Sequence, residues 1–104
     1  GNIKRLDAKN NILPNVGLKK TTILRNKEFN YLSKFNNEKF YYVHSYYADP
    51  ENVKNQIGTS NYNNKEFCAL SIKDKNVIGA QFHPEKSSKI GLEFLDCVFK
   101  NSIN

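Results

Sequence analysis

The chain has 104 residues and a mass of 12.0 kDa, with 38% hydrophobic, 25% charged and 12% aromatic residues. That is an ordinary globular composition, short enough to exclude more than one domain and unlike a disordered, collagenous or low-complexity chain. Lys and Arg outnumber Asp and Glu by 16 to 10, but no like-charge run exceeds two residues, so the clustered cationic face that nucleic acid requires is missing and no nucleic-acid partner is expected.

No run approaches the roughly 18 apolar residues of a membrane span, and residues 1–15 are too polar for a signal-peptide core. No membrane association is expected, and the chain reads as cytoplasmic. The two cysteines, Cys68 and Cys97, form no CxxC pair and read as reduced packing thiols.

In chain order, residues 3–7 have strand composition and Asp7 to Asn11 reads as a turn. Residues 21–25 make a second strand, and Phe29, Leu32, Ser33 and Phe35 space one short helical stretch. The run Phe40 to Tyr47 is mostly aromatic or β-branched and predicts a single strand bounded by Asn36-Asn37 and Asp49-Pro50. Glu66 to Ile72 and Val77 to Phe82, joined by four polar residues, predict a hairpin. Ser87 or Ser88 is placed to cap a closing helix that runs to about Lys100. Its apolar face is expected to contain Ile90, Phe94, Leu95, Val98 and Phe99, with Gly91 allowing a close approach to the sheet.

Only two histidines exist, His44 and His83, and each closes or nearly closes an apolar strand. In Phe82-His83-Pro84-Glu85 a carboxylate follows the imidazole at two residues across a stiff proline. A carboxylate that accepts an imidazole N–H fixes the tautomer and stabilises the imidazolium, which a general base serving a nucleophile needs. On spacing alone, a polar strand-end histidine followed by a first-turn acid explains the pair at least as well.

The string Gly79-Ala80-Gln81-Phe82-His83-Pro84-Glu85-Lys86-Ser87, followed by Gly91-Leu92, resembles the C-terminal signature of class I (triad-type) glutamine amidotransferases. Tyr41-Tyr42-Val43-His44-Ser45-Tyr46-Tyr47 resembles the preceding strand in one branch, the glutaminase subunits of imidazole glycerol phosphate synthase. Pro14-Asn15-Val16-Gly17 and Gly58-Thr59 through Tyr62 are similar to the same branch.

The resemblance implies an α/β fold, the C-terminal half of a flavodoxin-like amidotransferase domain over 1–104, with a mixed sheet and a C-terminal helix. It implies that glutamine is hydrolysed through a cysteinyl thioester, with His83 as the base and Glu85 orienting it. The main chain around Ser45 and Tyr46 would hold glutamine's α-groups. Tyr41 and Lys86 would face a synthase (cyclase) barrel that receives ammonia, and His44 would support the site without transferring protons. No cofactor or metal is called for. The family's nucleophile sits on a Gly-rich strand-to-helix turn, and no such turn occurs here.

The chain by itself is therefore expected to be inactive and to self-associate through an open sheet edge and helix face. Leu18-Lys19 stands where the branch usually has Trp-Asn, which opens the reading of a paralogue serving another synthase, such as one that amidates a surface sugar. A non-catalytic binding module built on the half-fold is the reading from a different class.

Overall fold

A computed structural model describes residues 2–6, 15–24, 29–50, 53–74 and 77–102. The strands among the described residues are β1 (Asn2–Arg5), β2 (Asn15–Ile23), β3 (Glu38–His44), β4 (Tyr46–Asp49), β5 (Gln56–Tyr62), β6 (Lys65–Asp74) and β7 (Val77–Ala80). Short 3-10 turns lie at Asn30–Phe35, Val53–Asn55 and Pro84–Lys86, and the helix α1 (Ser88–Ser102) closes the chain. No helix among the described residues is long and apolar enough to cross a membrane.

Five strands form a sheet in the order β3-β2-β5-β6-β7, and β1 pairs with β4 in a two-stranded ribbon. The resemblance implied a mixed sheet, whereas every pairing among the described residues is antiparallel. Parallel neighbours need long crossovers, usually through helices, and the one α-helix among the described residues follows the last strand instead of linking two.

The hairpin of β6 and β7 and the closing helix match the sequence expectation, as does β1 apart from its end. The turn expected at 7–11 lies outside the described residues, and the helical stretch around Leu32 is a 3-10 turn with Leu32 and Phe35 buried. The strand expected at 21–25 begins earlier, at Asn15, because β3 supplies a partner for residues 15–21.

The run 40–47 is not one strand. It breaks at Ser45, where the His44 ring bonds the Tyr46 carbonyl two residues on and the Ser45 carbonyl accepts from Leu6 N–H, so that β4 leaves β3 and pairs with β1. The strand β5 was not foreseen. It meets β6 through the two-residue turn Asn63-Asn64, both with positive φ (54° and 62°), as a type I′ hairpin turn requires.

The core is aromatic at its centre. Phe40 and Phe82 stack at 4.2 Å, and Phe94 meets Phe35, Phe82 and Phe40 edge-on at 5.3, 5.1 and 5.6 Å. Such offset and edge contacts suit the ring quadrupoles and add to the area that the rings bury.

Phe94 is the one large apolar residue of α1 that is fully buried. Ile90, Cys97 and Val98 pack half-buried beside it, but Leu95 and Phe99, assigned from sequence to the same face, are exposed. The packing partner of Gly91 is also different from the one expected. A Cβ there would lie 1.9 Å from the Pro84 carbonyl oxygen, so the close approach that the glycine allows is to the 84–86 turn and not to a strand. With Gly91 at that contact, the buried stripe follows Gly91, Phe94 and Val98 and turns Phe99 outward.

Replacing Phe94 by Ala should therefore cost about 3–5 kcal/mol, the usual range for a large aromatic truncated in a packed core. The expected readout is a lower denaturant midpoint at unchanged slope, whereas a change within about 0.5 kcal/mol would show that α1 does not seal the core.

Candidate active site

The sheet is curled so that its two ends meet. Beyond β7, Gln81 N–H still bonds the Ala69 carbonyl on β6, but His83 N–H reaches the Tyr41 carbonyl on β3 at 2.8 Å. The segment that follows β7 is thus joined by one backbone bond to β3, at the opposite end of the sheet order, and His83 and Tyr41 meet along that seam.

His83 is extended (φ −103°, ψ 97°), and Pro84 starts the short turn that brings Glu85 back under its ring. The Glu85 carboxylate accepts from His83 Nδ1 at 2.9 Å, with both side chains partly open to solvent. With Nδ1 carrying the proton, Nε2 keeps its lone pair, the form a general base needs. The His83 bond, then the residue's own backbone N–H, hold the Glu85 carboxyl below its usual range, so that it stays anionic at neutral pH.

Beside the pair lies a second imidazole. The Tyr46 carbonyl can only accept, so His44 Nδ1 donates to it at 2.9 Å and Nε2 accepts from the Asn15 amide at 3.0 Å. His44 is therefore neutral, and its tautomer is fixed from both sides. Burial pushes its pKa below the ordinary 6.5, the Tyr46 bond opposes that, and positive charge on nearby His83 adds to the lowering. Asn15 is itself buried, and its Oδ1 has no partner among the described residues.

Of the candidate site residues, Tyr41, His83, Glu85 and Lys86 lie along the seam, and Ser45 and Tyr46 follow just after the strand that carries Tyr41. Tyr41 gives the seam its carbonyl, Lys86 is exposed beside Glu85 with its N–H on the His83 carbonyl at 3.1 Å, and Ser45 and Tyr46 form the bend held by His44. Asn15 and Ser87 were missed as site residues. Ser87 carried a visible signal, since it closes the His-Pro-Glu-Lys-Ser string, but it reads from sequence as a helix cap.

In the structure the Ser87 carbonyl does accept the early helix N–H of Gly91, but its hydroxyl bonds Tyr41 N–H and the His83 carbonyl instead of capping. Neither cysteine is a nucleophile in this arrangement. Cys68 is buried in β6 with its thiol on the Leu70 carbonyl and its pKa pushed up to about 11 by that burial. Cys97 lies on α1 against the Tyr31 carbonyl.

A strand-end histidine is thus paired with a glutamate across a proline, where a curled sheet meets a helix. The family described as glutamine amidotransferase class-I matches residues 9–100, and the chain belongs to it.

More particularly, it is 46% identical over 66 residues to imidazole glycerol phosphate synthase subunit HisH 2 of Methanococcus maripaludis, covering 64% of this chain and 32% of that protein. It is 33% identical over 98 residues to HisH of Pelagibacter ubique, covering 92% and 46%. It is 48% identical over 60 residues to HisH of Pyrococcus furiosus, covering 58% and 30%. The chain thus spans less than half the length of these relatives.

The His44 geometry has a pH consequence. A histidine whose folded pKa is depressed binds fewer protons than the unfolded chain just below pH 6.5, so its stabilisation is complete above that value and is lost as pH falls through the folded pKa. His44→Gln should flatten this acid limb of the stability profile, and an NMR titration of the wild-type ring should place its midpoint below the ordinary value. A midpoint at or above it would contradict the half-buried, doubly bonded imidazole.

Proposed function

We propose that these 104 residues are the C-terminal part of the glutaminase subunit of an imidazole glycerol phosphate synthase, acting in the cytoplasm in histidine biosynthesis. The observation that carries the reading is the 2.9 Å His83–Glu85 pair held at the seam, in a chain related to proteins of that name.

In this mechanism a cysteine thiol supplied from outside residues 1–104 gives its proton to His83 Nε2 and attacks the side-chain carbonyl of glutamine as the thiolate. The tetrahedral adduct collapses to a glutamyl thioester as His83 delivers a proton to the leaving nitrogen, and ammonia departs. His83 Nε2 then takes a proton from the water that hydrolyses the thioester to glutamate, while Glu85 stabilises the imidazolium at each turn of the cycle.

The bend at Ser45 and Tyr46 would hold the glutamine α-groups. Tyr41 and Lys86 would face the cyclase barrel, to which ammonia passes without meeting bulk water. Both main-chain carbonyls of the bend are already engaged, by Leu6 N–H and by His44, which favours a rigid cradle over one that forms around the substrate. The isolated chain, without a nucleophile, would be inactive. Its exposed Leu92, Leu95 and Phe99 on α1, and Val16, Leu18 and Val43 on β2 and β3, would favour self-association.

The test uses the full-length protein with its synthase partner. His83→Asn should lower glutamine-dependent turnover by at least about 100-fold and leave turnover with free ammonium intact, because only ammonia supply uses the imidazole. Equal loss of both activities would make His83 structural, and no glutamine-dependent turnover in the wild type would remove the proposed function itself.

A further inference from the structure

In an ordinary antiparallel pair two opposed residues exchange both of their backbone bonds. Tyr41 and His83 exchange only one directly, His83 N–H to the Tyr41 carbonyl at 2.8 Å. The other passes through a side chain. Tyr41 N–H donates to Ser87 Oγ at 2.8 Å, and the Ser87 hydroxyl donates to the His83 carbonyl at 2.6 Å.

One oxygen thus completes a closed ring of three hydrogen bonds that holds both polar groups of the His83 main chain against β3. Ser87 is buried to 1% exposure, so bulk water does not compete for its hydroxyl. Its position is set in turn by Gly91, whose N–H bonds the Ser87 carbonyl and whose missing side chain lets α1 close over Pro84 and Ser87.

We propose that Ser87 is a positioning residue for the glutaminase reaction: its hydroxyl fixes the backbone of His83, and through it the aim of the imidazole, without touching substrate. This rests on the proposed glutaminase function. Pro84 has no N–H to offer and the chain must turn there to bring Glu85 under the ring, so a direct second bond between Tyr41 and His83 is replaced by a spacer. The spacer must accept from an amide and donate to a carbonyl at the same atom, which a hydroxyl does and a methyl cannot. Loss of the ring leaves the His83 carbonyl with the Lys86 N–H alone and the half-buried Tyr41 N–H without its acceptor, so the segment is expected to shift to find new partners.

The experiment compares Ser87→Ala, Ser87→Thr and Ser87→Cys in the full-length protein with its synthase partner. Misplacement by about 1 Å costs reactions of this kind on the order of 100-fold. Ser87→Ala should therefore lower kcat with glutamine by about that factor while KM for glutamine and turnover with free ammonium stay at wild-type values. Ser87→Thr, which keeps the hydroxyl, should restore most of the rate, and Ser87→Cys, of similar volume and a weaker donor, should fall between.

The ring proton on His83 Nδ1, followed by NMR in the same full-length protein, should exchange with water faster in the alanine variant than in wild type. Wild-type kcat and unchanged exchange in Ser87→Ala would overturn the proposal, as would loss of glutamine and ammonium turnover together in all three variants. If the wild type shows no glutamine-dependent turnover, the function fails separately, and the exchange measurement still decides whether Ser87 holds His83.

Discussion

The bond from His83 N–H to the Tyr41 carbonyl is the constraint on which the architecture turns. It joins the segment after β7 to β3, the opposite end of the five-stranded sheet. An open, twisted sheet has two exposed edges; here the curl brings them together and covers part of both. The His83–Glu85 pair is presented from this closure, so the frame that orients it is tertiary and not local.

Below the seam the phenylalanines do the corresponding apolar work. Phe40 and Phe82 precede the two joined residues by one position each, and their 4.2 Å stack faces the core while Tyr41 and His83 turn the other way. The alternation of a strand thus assigns one face to cohesion and the next residue to chemistry. Phe94 completes the cluster from α1 and couples the helix to the same place, so disturbance of the helix reaches the site through rings in contact and through the 84–86 turn beneath Gly91.

Elements with dense apolar or β-branched runs were legible in the sequence: β3, the hairpin of β6 and β7, and α1. The strand β5 was hidden because it buries polar residues, Thr59 and Ser60, with Ser60 satisfied by the Lys20 carbonyl across the sheet, a compensation that no hydrophobic pattern reveals. The break at Ser45 was hidden for a related reason. Its cause is a pair of bonds, from the His44 ring and from Leu6, inside a run whose composition is strand throughout. His83 and Glu85 were legible because their chemistry is local, separated by two residues. Ser87 was legible as a residue and misread in role, since a serine before a helix is commonly a cap and the competing partner, Tyr41, is 46 positions away.

That separation bears on the order of folding. The turn at Asn63-Asn64 and the hairpin of β6 and β7 close over a few residues each, whereas the seam must bring together groups 46 positions apart, and the entropy of closing a loop grows with its length. The hairpins are expected to zip first and the seam last, with the Tyr41 and His83 amides acquiring protection from solvent exchange after those of β5 and β6. On that order the seam that frames the His83–Glu85 pair is missing from any partly folded form, and a chain still on its way to the native state has secondary structure but no aimed imidazole.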